Sequence, residues 1–241
     1  LGVKPLYWWQ GRDAGADLLL FASEPGPILE HPAVTPEPDM VAVSAYLTTI
    51  RTVLGERTMF AGVHALPAGR VMRVAIGTDQ LRTAAHDIGI GEATPAADRQ
   101  ERVARVRAVV RDSVASHLRS DVPTCCLLSG GLDSAIVTRV ASETHLGLRT
   151  YCAGAKNETD IEGMPQSEDF LFATEVARAL GTHHTEAVVD EAMFRGRWRE
   201  MVGRQGVPLS TPNEIAINEV ARRLRADGCV VTLSGEGADE L

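Results

Sequence analysis

Two short apolar runs in this chain stop abruptly at a Ser-Gly pair. TCCLL (124–128) runs into SGGLDS (129–134), and CVVTL (229–233) runs into SGEGADE (234–240). Between them the pattern alternates between strand and helix, and this alternation limits the fold more than any other feature. SAIVTRVASETH (134–145) has helical spacing, and LRTYCAG (148–154) reads as a strand. SEDFLFATEVARAL (167–180) predicts a helix closed by Gly181, and THHTEAVV (182–189) a third strand. TPNEIAINEVARRLRADG (211–228) predicts a further helix, with Thr211 as N-cap, Pro212 and Glu214 in its first turn and Gly228 past its end. Strands joined by helices through short turns call for a parallel sheet covered on both faces. The predicted class is α/β, a doubly wound parallel sheet.

The N-terminal third of the chain has another pattern. DLLLFAS (17–23), TMFAGVHAL (58–66) and RVMRVAI (70–76) are apolar or alternating runs punctuated by Gly and Pro, and MVAVSAYLTTI (40–50) predicts a helix. HDIGIGEATPAA (86–97) reads as a linker. From Asp98 the apolar positions Val103, Val106, Val109, Val110, Val114 and Leu118 fall on one face of a helix, with Asp98 as N-cap, Glu101 three residues on and Pro123 beyond the end. The expected organisation is a mainly β domain over 1–85, a linker over 86–97 and an α/β domain over 98–241.

Charge and cysteines narrow the partners. The formal net charge of −8 argues against nucleic acid or an anionic membrane as a bulk electrostatic partner. No uncharged stretch approaches the roughly 20 residues of a membrane span, and no signal-peptide pattern opens the sequence. Cys125, Cys126, Cys152 and Cys229 lack metal-ligand spacing and lie in runs read as buried strands, so they are expected to be small buried hydrophobes in a cytoplasmic protein. His183 and His184 are adjacent on a strand and point to opposite faces, which favours a structural role over a shared metal ion. Trp8 and Trp9 are expected to pack rather than to stack on bases. The chain begins with Leu1 and stops at Leu241 within the second Ser-Gly loop, so a fragment of a longer protein is expected.

The chemistry lies in the two loops. In an open parallel sheet, ligands bind beyond the carboxyl ends of the strands. The glycines of SGGLDS bring bare N–H groups close to an anion, the next helix adds its own unpaired N–H groups, and Ser129 and Ser134 add hydroxyls. The loop suits phosphate or pyrophosphate. Asp133 repels phosphate unless a divalent cation such as Mg²⁺ binds both. The loop is not GxxxxGK[ST], and no lysine comes after its glycines. SGEGADE offers Glu236, Asp239 and Glu240 after a second buried strand. If the two strands are neighbours, both loops overhang one crevice, Asp133 and Asp239 can share metal ions, and Glu236 can face a second substrate. A plain Gly-rich turn and a polar helix start are the alternatives.

SGGLDS resembles the pyrophosphate loop of the ATP-pyrophosphatase superfamily. Its pairing with LSGEGADEL (233–241) is similar to the synthetase domain of glutamine-hydrolysing asparagine synthetases. LGVKPLYW (1–8), FASE (21–24) and TMFAGVHALPAGR (58–70) are similar to the end of that family's glutaminase domain, an N-terminal-nucleophile hydrolase fold, and ALGTHHTE (179–186) to its third synthetase strand.

The resemblance implies an ATP-dependent ligase. Aspartate would be activated as an acyl-adenylate with release of pyrophosphate, then attacked by ammonia released from glutamine. It implies pyrophosphate binding by Ser129, Gly130, Gly131, Leu132, Asp133 and Ser134, and adenosine contacts from Leu128 and Ala153, mainly through backbone groups at the strand ends. Ser234 and Gly235 would lie near nucleotide and substrate, Asp133 and Asp239 would bind Mg²⁺, and Glu236 would act as base or orienting group. Asp169 aligns loosely with a family acid; a first-turn helix acid is the plainer reading. A homodimer is compatible with the family.

The family's nucleophilic N-terminal cysteine is absent from the start of this sequence. The helices and the lysine that the family carries beyond SGEGADEL are absent from its end. This segment alone is therefore expected to be inactive. The connection within 151–170 is longer than in typical members, which leaves the acyl substrate open. A relative with another acceptor (β-lactam synthetase, peptide cyclase or natural-product amidotransferase) and a non-catalytic nucleotide-binding protein are the alternatives.

Overall fold

Strands β1 (Tyr7–Asp13) and β2 (Ala16–Ala22) pair as an antiparallel hairpin, from Tyr7↔Ala22 to Asp13↔Ala16, in a computed structural model that describes residues 2, 4–75, 83–87, 98–155 and 168–237. The two turn residues, Ala14 and Gly15, have φ of 48° and 87°, the left-handed backbone that a two-residue hairpin needs to match strand twist. Helix α1 (Pro25–Leu29) comes next, then α2 (Met40–Thr49), whose first turn is capped by Asp39 accepting from the Val41 and Ala42 amides at 3.0 and 3.1 Å. Strand β3 (Val63–Ala65) completes a sheet of order β2-β1-β3, while β4 (Arg70–Val74) and β5 (Thr83–Asp87) form a separate antiparallel pair.

The N-terminal region departs from expectation in several places. The strand at 7–13 and the short α1 are additions. Of the run 58–66 only Val63–Ala65 is strand, because Thr58 turns inward and donates to the Val63 carbonyl at 2.8 Å. Strand β5 takes in His86 and Asp87, paired with Val71 and Arg70, so these two residues are not linker; 88–97 lie outside the described residues. Both tryptophans pack. Trp8 stacks on His64 with ring centroids 4.6 Å apart, and Trp9 joins the core around Ile28, Val34 and Val63.

The chain divides into two compact units, residues 1–93 with 197–211, and residues 94–196 with 212–241. The second holds a four-stranded parallel sheet. In chain order its elements are α3 (Arg99–His117), β6 (Thr124–Leu127), α4 (Leu132–Thr144), β7 (Arg149–Ala155), α5 (Glu168–Leu180), β8 (His183–Val189), then α6 (Glu191–Gln205), α7 (Asn213–Ala226) and β9 (Val231–Leu233). Helix α6 runs through the division of the chain and was not foreseen. The sheet order is β8-β7-β6-β9, with Cys125↔Arg149 on one side of β6 and Cys125↔Thr232 on the other. Successive strands step away from β6 in one direction until β9 returns to its other edge. The order therefore reverses between β6 and β9.

Both faces of the sheet are covered. Cys125, Tyr151 and Ala187 pack with Val220 and Leu224 of α7, whereas Cys126 packs with Val114 of α3 and Ala141 of α4. Leu128 and Cys152 pack with Phe170, Ala173 and Ala177 of α5. All four cysteines are buried thiols outside any disulfide. Burial pushes the thiol of Cys125 up to about 12 and that of Cys126 to about 11.

Helix ends obey local chemistry. Asp98 caps α3 by accepting from the Glu101 amide at 2.8 Å, and the Glu101 carboxylate pairs with Arg105 at 3.1 Å. Gly228, at φ 78°, closes α7. At the start of α7, Pro212 stands immediately before Asn213 and already has helical φ and ψ of −58° and −27°, its ring fixing φ. The valine stripe of α3 is buried only at its C-terminal end, at Val114. Val103, Val106 and Val109 are 46%, 62% and 66% exposed, and the first two line an open groove with Ile136 of α4 and Leu180 of α5. Among the described residues no helix is long and apolar enough to cross a membrane.

Candidate functional site

Strand β6 ends at Leu127, and Leu128 continues its direction, donating from its amide to the Tyr151 carbonyl at 2.8 Å. The chain then turns at Gly130, whose φ of 80° suits a residue without a Cβ. Gly131 is the N-cap of α4, which begins at Leu132, two residues earlier than expected. Asp133 is therefore a first-turn helical residue, not a loop residue. The loop is held by one buried hydroxyl. Ser134 Oγ donates to the Gly131 carbonyl at 3.1 Å, accepts from the Ser129 amide at 3.2 Å and stands 3.1 Å from Ser129 Oγ. Ser129 itself is exposed.

The second loop meets the first directly. Beyond Leu233 of β9, Gly235 lies against the start of α4. A Cβ on Gly235 would stand 2.5 Å from the Ser134 nitrogen, 2.7 Å from the Asp133 carbonyl carbon and 2.9 Å from Ser134 Cα. Glu236 and Gly237 then turn, with Gly237 at φ 91°.

Between the loops is a cleft of about 290 Å³ at the point where the strand order reverses. Its polar wall comes from Ser129, Gly131, Asp133, Ser134, Ser234, Gly235 and Glu236, all expected from the sequence, and Leu128 and Ala153 line it from the strand ends. Gly130 and Leu132 shape the turn without lining the cleft; Leu132 is 74% exposed. Asp239 lies outside the described residues, and Asp169 sits in the first turn of α5.

Sequence reasoning missed the apolar wall: Leu127, Tyr151 and Cys152 from the strands, Ile217 and Val220 from α7. Tyr151 and Ala153 share one face of β7, a signal that alternation along the strand contained. The Tyr151 hydroxyl donates to the Asp227 carboxylate at 2.9 Å, and burial raises its pKa, so the side chain stays neutral.

The electrostatics are unusual for an anion site. Among the described residues lining the cleft none is Lys, Arg or His, while Asp133 and Glu236 are acids. Phosphate would meet only backbone dipoles and hydroxyls as favourable groups, plus two repelling carboxylates. A hard divalent cation binding one or two carboxylates together with phosphate oxygens fits this donor set. His183 is exposed, and His184, half-buried, holds its Nδ1 3.0 Å from Thr150 Oγ1. No cluster of three or more metal-ligating side chains occurs among the described residues.

A parallel sheet with a Gly-Ser loop after an interior strand, joined to a helix N-terminus at the reversal of strand order, defines an open α/β domain of the class whose ligand crevice lies beyond the carboxyl ends of the strands. Residues 105–241 match the family model described as asparagine synthase, and residues 1–84 one described as a glutamine amidotransferase domain. The chain belongs to the asparagine synthase family. An asparagine synthetase [glutamine-hydrolyzing] of Bacillus subtilis is 36% identical over 139 residues, covering 58% of this chain and 21% of its own length. A putative asparagine synthetase [glutamine-hydrolyzing] of Mycobacterium tuberculosis is 32% identical over 247 residues, covering 100% of this chain and 36% of its own. Asparagine synthetase B of Escherichia coli is 35% identical over 147 residues, covering 56% and 26%. The chain thus spans little more than a third, or less, of the length of these relatives.

Proposed function

We propose that residues 98–241 belong to the ATP-using half of an amide-forming ligase, and residues 1–87 to its glutaminase half, with a linker within 88–97. Aspartate is the first candidate for the activated carboxylate and glutamine for the nitrogen source. The observation that carries this reading is the meeting of the two Ser-Gly loops across one cleft, with Gly235 against the backbone of Ser134.

In this reading the cleft takes ATP with its phosphates toward Ser129–Ser134 and its adenosine toward Leu128, Ala153 and the apolar wall. A substrate carboxylate oxygen forms a bond to the α-phosphorus, and the bond to the β-phosphate oxygen breaks. Backbone N–H groups at Gly131 and the first turn of α4, with the Ser129 hydroxyl, stabilise the negative charge that gathers on the departing pyrophosphate. Asp133 and Asp239 would hold Mg²⁺, which supplies charge neutralisation there when bound. Ammonia nitrogen then bonds to the acyl carbon, AMP leaves, and Glu236 takes the surplus proton from the nitrogen. The partners are small molecules, and the setting is the cytoplasm.

The test is pyrophosphate release from Mg·ATP by the gene product as its host makes it. Aspartate-dependent release, with asparagine formed from glutamine or from ammonia, supports the reading. Release that depends on another carboxylate moves the acyl substrate. ATP binding without release under any carboxylate leaves only a nucleotide-binding protein.

A further inference from the structure

Gly235 differs from the other glycines of the two loops in what demands it. Gly130 and Gly237 have left-handed φ, and Gly131 has room for a side chain, since a Cβ there would meet only Ser129 Oγ at 3.5 Å. Gly235 is not among the residues of positive φ, so alanine could adopt its backbone. What forbids alanine is space: a Cβ would lie 2.5–2.9 Å from three backbone atoms of Asp133 and Ser134. Backbone at a helix start cannot swing aside as a side-chain tip can.

We infer that Gly235 is a positioning residue, a bare contact that sets the separation between the Ser234–Glu236 loop and the Ser129–Ser134 loop. The inference rests on the reading of the cleft as an ATP site. Ser234 and Glu236 flank Gly235 and line the same cleft as Asp133. Any outward shift of Gly235 carries both away from the nucleotide and substrate. Bringing a Cβ to an ordinary contact needs a displacement of roughly 1 Å, and misplacement of that size costs on the order of a hundredfold in a positioned reaction.

The experiment compares wild type with Gly235→Ala. Among the described residues, Ser234–Gly237 make no ladder pairs, since β9 ends at Leu233, so the substitution is expected to move the loop and leave the sheet intact. Gly203→Ala, in α6 with nothing within 4 Å of its Cβ, is the control. Mg·ATP affinity is measured by calorimetry, and the amide resonances of Asp133 and Ser134 by NMR. The expected result is at least a tenfold loss of ATP affinity in Gly235→Ala, with shifts concentrated at residues 133–134 and 234–236, and wild-type behaviour in the control. Wild-type affinity in Gly235→Ala overturns the inference. So does the absence, in the wild type, of a nuclear Overhauser effect between the Gly235 α-protons and the Ser134 amide, a measurement that needs no variant to fold. A wild type that shows this effect but binds no ATP overturns the functional reading instead.

Discussion

The hydroxyl oxygens of Ser129 and Ser134 stand 3.1 Å apart, yet they serve different ends. The Ser134 oxygen is buried, donates its proton to the Gly131 carbonyl and accepts the Ser129 amide. It is a pin that holds the loop closed. The Ser129 oxygen is exposed and faces the cleft, so it can turn toward a ligand.

Ser134→Ala is therefore expected to lower the stability of the chain by about 1 kcal/mol, the usual cost of a lost buried hydrogen-bond partner, as well as weakening ATP binding. Ser129→Ala is expected to leave the unfolding midpoint in urea close to wild type and to weaken ATP binding alone. Equal effects of the two on stability would contradict the division of roles.

Removal of the divalent cation tests Asp133. Chelation with EDTA is expected to weaken ATP binding at least tenfold in the wild type and much less in Asp133→Asn, because in the proposed site the variant lacks the carboxylate that would link cation and phosphate. Without any cation, Asp133→Asn is expected to bind ATP more tightly than wild type, since one repelling charge is gone. A variant equally sensitive to EDTA would remove Asp133 from the cation site.

The adjacent cysteines make a reactivity prediction. Burial raises both thiols, to about 12 for Cys125 and about 11 for Cys126, so both are protonated in the fold at pH 8. Iodoacetamide should leave them unmodified in the native chain and alkylate them in urea, as read by mass spectrometry. Their ordinary value is 9.0. The stability they lend is complete below that pH and is lost as pH rises through the folded-state values. Rapid native alkylation would contradict their burial.

His184 acts on the acid side. Burial lowers its pKa from 6.5, with Glu186 opposing, so the fold favours the neutral ring beside Thr150. The corresponding stability is present above pH 6.5 and is lost as pH falls through the depressed folded-state value. His184→Gln should flatten the pH dependence of urea unfolding over that window. An unchanged slope would show that another group titrates there.

How much of the fold and the cleft was readable in the residues depends on the range of the interactions. The polar wall of the cleft was legible because each half is local: an apolar run, Ser-Gly, and an acid. The sheet was legible because its strands are short apolar runs between capped helices. Ile217 and Val220 were not, because helical periodicity says which side of α7 is buried and not that part of that side borders a cleft. Nor was the half-bare stripe of α3. Val103, Val106 and Val109 have the spacing of a covered face, but spacing does not say whether a neighbour reaches that far. Strand β1 escaped notice because Gln10, Gly11 and Arg12 break the apolar run that the hairpin nonetheless pairs in full.

The pairing of β9 beside β6 has a kinetic consequence. Cys125 and Thr232 meet across 107 residues of sequence, whereas the loop from Ser129 to Ser134 closes on itself within five. Contacts so distant in sequence carry a large loop-closure entropy and tend to form late. One wall of the cleft can thus exist early in refolding, while the other arrives only with β9. Recovery of nucleotide affinity should then trail recovery of helix signal in a stopped-flow experiment, so that ligand binding reports the docking of β9 on β6 rather than collapse.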